Sequence, residues 1–238
     1  MTSNQTAPTM TTCRRCGTCC RKGGPCLHIE DRPLVESGVI PLRRLFTIRQ
    51  GEPAYDNVAG VIAPAVTDII KLKGISDSSS ICCFYDAATK GCGIYAQRPA
   101  ECRALKCWDS SEIERIYKGQ RLTRRHLLSK VEGLGELVQD HQERCDYGYV
   151  AELAAQLKLS DPPSGAHGTL LELIQYDQSL RKVTCERTAL DPQLLPFLFG
   201  RPLSFTIEMF QLKLTHTGQG LSLQPLGPTH QQVCYRRQ

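Results

Sequence analysis

Aromatic residues make up only 6% of this chain, with a single tryptophan. Stacking platforms for nucleic acid interleave aromatics with a basic stripe, and no such stripe is present. The formal net charge of +5 is mild, and its Lys and Arg residues are dispersed, which also argues against a nucleic-acid partner. Long apolar runs are missing: the longest, near Val58–Val66, is too short to cross a bilayer. The first residues, MTSNQTAPTMTT, carry neither a basic n-region nor an apolar h-region. The sequence therefore predicts a cytoplasmic protein, without a membrane partner. No GxGxxG follows a strand pattern, and GxxxxGK[ST], GxSxG and HExxH do not occur. The commonest dinucleotide, P-loop, hydrolase and zinc-protease sites are excluded accordingly. The CxxxCxxC spacing of radical S-adenosylmethionine enzymes is missing as well.

Cysteine, by contrast, is abundant. The chain of 238 residues has thirteen, and ten of them fall between residues 13 and 107. They open with Cys13-Arg14-Arg15-Cys16-Gly17-Thr18-Cys19-Cys20, a CxxCxxCC run. A second group holds Cys82, Cys83, Cys92, Cys102 and Cys107. Thiolates two residues apart converge from one tight turn onto a soft metal ion or an iron–sulfur cluster. Reducing conditions in the cytosol, and the odd total, favour ligands over a disulfide framework. Arg14, Arg15, Arg21 and Lys22 flank the first group, and positive neighbours lower thiol pKa values and offset cluster charge.

A thiolate site needs about four donors. Cys13, Cys16 and Cys19 supply three from one turn, in which Gly17 provides the conformational freedom. The fourth comes from elsewhere, most simply from the second group. Ten cysteines suffice for two four-ligand sites with two thiols over, or for one site plus structural thiols. Spacing leaves the metal open, because CxxC pairs suit zinc and three cysteines spaced by two suit [4Fe–4S]. In the adjacent pairs Cys19-Cys20 and Cys82-Cys83, neighbouring side chains of an extended chain point opposite ways. Each pair can bridge two centres or leave one thiol outside.

At 41% hydrophobic and 22% charged, the chain is globular and long enough for one large or two small domains. The fold class read from the pattern is α+β, in three parts. Residues 1–12 form a flexible tail, residues 13–109 a loop-rich cysteine-cluster domain, and residues 110–238 a mainly helical region with a terminal hairpin. Within the second part, Leu45–Arg49 reads as a strand entering a turn at Gln50-Gly51-Glu52. Ser111 and Glu114 read as a capping box. Apolar periodicity predicts a long helix over 123–159, ended by Asp161-Pro162-Pro163, and another over 166–185. Asp191-Pro192 caps a short apolar helix through Phe199. Strands are expected over 203–215 and 221–226, around a turn at 217–220.

The ordered set CxxCGxCC, Cys83-Phe84-Tyr85, Gly91-Cys92-Gly93-Ile94-Tyr95, Arg98-Pro99, Cys102-Arg103 and Cys107 resembles the CxxCxxCC (YkgJ-like) family. The resemblance covers residues 13–107 and implies zinc or iron chelation. It implies a ligand pool of Cys13, Cys16, Cys19, Cys20, Cys83, Cys92, Cys102 and Cys107. Cys26 and Cys82 go beyond the family's pattern. A protein methylase related to the family pairs such cysteines with an iron–sulfur cluster.

Several weaker signals remain. His141 and Cys145, spaced i, i+4, share a face of the expected helix and are a second-rank ligand pair beside the commoner core role. His28 is a further second-rank donor. Cys185 and Cys234 read as ordinary thiols, Trp108 as packing over the site, and Arg98-Pro99 as the turn before Cys102. Arg103 has two readings, a donor to cluster sulfur or a surface ion pair. The expectation is a metal-chelating protein holding an iron–sulfur cluster, [4Fe–4S] by preference, or Zn2+, with a redox, sensing or accessory role. A protein partner fits that role. The alternatives are a cluster-containing, methylase-like protein-modifying enzyme and a zinc-stabilised interaction module.

Overall fold

The computed structural model describes residues 13, 15–76, 78–117, 119–129, 131–159, 163–218 and 220–226. The expected N-terminal tail and Cys234 lie outside them. The fold is α+β, as the sequence pattern predicts: short antiparallel strand pairs joined to a helical C-terminal half.

The first cysteines enter a one-turn helix α1 (Thr18–Arg21), and a second short helix α2 (Arg32–Glu36) follows. Strands β1 (Leu45–Ile48), β2 (Pro53–Asp56), β3 (Val61–Pro64) and β4 (Ile69–Leu72) come next. β2 and β3 form a hairpin inserted between β1 and β4, which pair with each other in the register Leu45–Leu72 to Ile48–Ile69. The small ladder β5 (Tyr85–Asp86) and β6 (Gly91–Cys92) and the helix α3 (Ala100–Ala104) organise the second cysteine group. This segment is thus more ordered than the run of loops its turn signals imply.

α4 (Ser111–Tyr117) starts where the capping-box reading places it. The Ser111 amide, however, donates to Asp109 Oδ1 (3.0 Å), and it is the Ser110 hydroxyl that reaches Glu114. The long helix expected over 123–159 is instead three: α5 (Arg124–Leu128), α6 (Leu134–Arg144) and α7 (Tyr147–Gln156). Two local features break it. Gly133 takes a left-handed φ of 73° ahead of α6. Asp146 caps α7 by accepting a hydrogen bond from the Tyr149 amide (3.0 Å). The helix expected from residue 166 runs on to Thr188 as α8 (Ala166–Thr188). α9 (Leu195–Leu198) forms in the segment that Asp191-Pro192 opens.

The strand expected from residue 203 begins only at Leu212. Residues Leu203–Thr206 form α10, and Ile207–Phe210 a 3-10 turn. Asp177 fixes that helical start by accepting from the Leu203 amide (2.9 Å). The hairpin of β7 (Leu212–Thr217) and β8 (Gly220–Pro225) then closes as predicted.

Two main cores form. One joins Leu27, Leu45, Ile70, Leu72 and Cys82 to Leu122, Val138, Phe197 and Phe199, and so draws on both sides of residue 110. The other packs α7 and α8 against α10 and the terminal hairpin through Val150, Leu170, Ile174, Leu203 and Leu223. Burying each such side chain stabilises by roughly 1.5–3 kcal/mol. Between the cores lies a polar set. His141 and Arg181 both bind Asp177 (2.7 and 2.9 Å), and Arg49 stacks over Tyr147 (4.4 Å). Arg201 grips Glu52 through Nε at 2.7 Å. Among the described residues no helix is long and apolar enough to cross a membrane.

Candidate metal centre

Backbone bonds bring the two cysteine groups together. Leu27 N donates to Ile70 O (2.8 Å) and Leu72 N to Pro25 O (3.1 Å), so the segment after the first group lies along β4. Cys82 N donates to Cys20 O (2.7 Å), a direct tie between the groups. Gly17 stands ahead of α1 with φ 71°, and a Cβ there would lie 2.3 Å from the Tyr85 ring. Only glycine suits that position, as the spacing argument requires.

The result is a recess of about 360 Å3 lined by Cys13, Cys16, Cys19, Cys20, Cys92 and Cys107, with Tyr95, Trp108, Arg15 and Lys90 on its walls. Six of the eight cysteines of the expected ligand pool therefore share one cavity. Arg15 and Lys90 both hold positive φ (52° each), an uncommon backbone state for non-glycine residues that marks a constrained site. Tyr95 carries two guanidinium groups, Arg15 at 4.1 Å and Arg98 at 4.2 Å from its ring centroid. Arg98 also donates to the carbonyls of Tyr95 (3.0 Å) and Cys102 (3.3 Å), which pins the turn between Cys92 and Cys102. The sequence marks Arg98-Pro99 as a turn, but the tyrosine stack comes from the fold.

Cys102 and Cys83 do not line the recess. Cys102 is half-buried, and burial pushes its thiol pKa up, helped by the nearby sulfurs of Cys82, Cys20, Cys19 and Cys92. Cys20 is pushed up to about 12 by burial and by Cys19, Cys82 and Cys92. Cys92 rises mainly through burial. At the rim the direction reverses for Cys16, whose thiol lies 3.2 Å from the Thr18 hydroxyl and is lowered chiefly by that bond. Cys83 is lowered by the Cys82 thiol and by Arg44 and Lys73.

The other predicted donors have separate surroundings. His28 Nε2 meets Glu101 Oε1 (3.2 Å), and the same carboxylate accepts from Arg121 (2.9 Å) and from the Cys26 amide (2.7 Å). His141 is engaged by Asp177, and Cys145 is the C-cap of α6, its amide donating to the His141 carbonyl (2.9 Å), so the pair keeps its one-turn spacing in a buried setting. Cys185 is half-buried on α8. Arg103 pairs with Glu30 (3.3 Å) and the Arg98 carbonyl (2.9 Å), the surface ion-pair reading. Glu101, unremarked in the sequence, is the residue that ties Cys26, His28 and Arg121 together; its place beside Cys102 is the only local hint.

All twelve described cysteines are free thiols. As placed, no three His, Cys, Asp or Glu side chains among the described residues stand close enough to hold one ion. By type and number the donors nonetheless fit a thiolate centre, and cysteine side chains reach new positions by single staggered rotations.

Residues 12–119 match a family described as "CxxCxxCC: Putative zinc- or iron-chelating domain". Over this segment the chain is similar to that family. The match spans 108 of the 238 residues and takes in the recess, α3 and α4. No curated protein and no solved structure matches the chain. The helical half lies outside the matched segment.

Proposed function

We propose that the CxxCxxCC domain holds an iron–sulfur cluster of the [4Fe–4S] type through its cysteine thiolates, and that the protein works in the cytoplasm in a redox, sensing or accessory role. The observation that carries this reading is the convergence of six free thiols on one recess. Four thiolates complete a [4Fe–4S] cluster, as four complete a tetrahedral zinc, and three cysteines spaced by two, as in Cys13, Cys16 and Cys19, suit the cluster. When bound, such a cluster supplies one-electron redox chemistry tuned by charge and solvent exposure. Arg15 and Lys90 on the walls, Arg21 at the end of α1 and Lys22 just beyond it offset the negative charge of the thiolates. Burial holds Cys20 and Cys92 as neutral thiols until a cation arrives, so metal uptake releases protons. Cys13, Cys16, Cys19, Cys20, Cys83, Cys92, Cys102 and Cys107 are the pool from which the cluster's four ligands come.

Zinc is the second reading, because the family description names it beside iron. A zinc-stabilised interaction module would follow from it. The recess is lined in part by the exposed Trp108, and an open recess is the feature a methylase-like or other cluster enzyme would use to admit a substrate.

Metal and acid-labile sulfide analysis of protein purified without oxygen separates these readings. Iron with matching sulfide and a brown colour is the expected result. A colourless protein with stoichiometric zinc leaves the interaction module, and a protein without bound metal sinks both readings.

A further inference from the structure

We propose that the hairpin of β2 and β3 is a self-association surface, and that two copies of the chain join antiparallel through the open edge of β3 at Ile62. The inference is independent of the metal centre.

The longest apolar run of the sequence is not buried. No charged residue stands between Asp56 and Asp68, yet all of β3 is exposed, with Val61 at 52%, Ile62 at 46% and Val66 beyond the strand at 89%. Tyr55, which faces Ile62 in the hairpin register, and Val58 in the turn are exposed as well. The opposite side of the hairpin is occupied, because Ala54 and Ala65 pack with Ile48 of β1. An uncharged apolar patch of this kind marks a contact surface.

Backbone geometry says what fits it. Among the described residues β2 is the only strand neighbour of β3. Just past β3, the Ala65 amide donates to the Glu52 carbonyl (2.9 Å) and the Ala65 carbonyl accepts from the Gly51 amide (2.8 Å). Ala65 thus turns both groups toward the β2 side, and alternation along the ladder turns Ala63 inward and Ile62 outward. The Ile62 N–H and C=O lie on the free edge, without the charged side chains that usually guard one. Pro64, which has no N–H, closes β3, and Pro53 stands opposite it, so the open edge is confined to the outer part of the hairpin.

An edge centred on Ile62 matches a second copy of itself across a two-fold axis. Each Ile62 N–H donates to the other copy's Ile62 carbonyl. The two Ile62 side chains meet on one face, flanked by the Tyr55 rings. A different protein would be selected through charge, and residues 57–67 carry none. The hairpin presents fewer residues than the roughly 20–30 per side of a standard interface, so the pair is weak and forms with rising concentration.

The test uses the full chain with a reductant present, so that exposed thiols form no cross-links. Light scattering follows the molecular mass over a concentration series for wild type, Ile62→Pro and Ile62→Lys, each checked for folding by circular dichroism. Wild type is expected to move from the mass of one chain toward twice that value. Ile62→Pro deletes an N–H that β2 does not use, and should raise the dissociation constant roughly 10–100-fold through the loss of two hydrogen bonds. Ile62→Lys should weaken the pair as well, by placing like charges at the axis. Amide hydrogen exchange of wild type gives a readout that survives a misfolded variant. Protection of the Ile62 amide should rise with concentration, while that of Ala63, which faces β2, stays constant. Wild type that is one chain at every concentration, a dimer that both variants retain, or an Ile62 amide indifferent to concentration overturns the proposal.

Discussion

At the residue scale, the site depends on positions where no substitute fits. Gly17 combines a left-handed φ with contact against Tyr85. Gly17→Ala should cost about 1–2 kcal/mol from the backbone alone, plus whatever Tyr85 loses by moving. Urea unfolding of metal-free protein measures it, and an unchanged midpoint would count against the tight turn. His141 supplies a second test. Burial, with Arg49 adding to it, holds its pKa down to about 4 from 6.5, although Asp177 pulls the other way. The unfolded chain therefore binds the proton first. The contribution is complete above about pH 6.5 and is lost as pH falls toward 4. Metal-free protein should lose roughly 2 kcal/mol between pH 7 and pH 5, and His141→Gln should flatten that slope. An equally steep slope in the variant would place the titration elsewhere. The role of Gly17 was legible in the sequence because it is local. The role of His141 was not, because Asp177 arrives from 36 residues away.

At the element scale, the sequence located most helices and the terminal hairpin, and erred where a break or a distant partner decided the outcome. The apolar period continues through 123–159, yet Gly133 and Asp146 interrupt the helix with ordinary stop and start chemistry. Those signals were present and were outweighed by periodicity. Residues 203–210 are different. Their apolar, aromatic-rich composition suits a strand, and the Asp177 carboxylate that starts α10 is 26 residues distant. The cap at α7 is testable. Asp146→Ala should cost about 1 kcal/mol in thermal or urea unfolding and leave metal content unchanged. A change in metal content would mean that α7 influences the recess directly.

At the scale of the whole molecule, the cysteine domain and the helical half share a core. Leu27, Leu45 and Ile70 meet Leu122, Phe197 and Phe199, and the Arg124 guanidinium spans Asp68 (2.8 Å) and the Leu198 carbonyl (2.8 Å). Trp108 is the one tryptophan and lies on the wall of the recess, while most helix belongs to the C-terminal half. Trp108 fluorescence and far-ultraviolet circular dichroism should therefore report coincident urea transitions. Separate transitions would show that the two parts stand independently. Composition and cysteine spacing made the chelating part visible. The shared core was not visible, because contacts such as Thr47 with the Phe197 carbonyl (2.7 Å) join residues 150 apart.

The central claim is that thiolates alone surround the metal. X-ray absorption at the iron or zinc edge, on protein isolated without oxygen, tests it most directly. A first shell of sulfur only, near about 2.3 Å, is the predicted result. A first shell containing nitrogen or oxygen, or protein with no metal to measure, would contradict it.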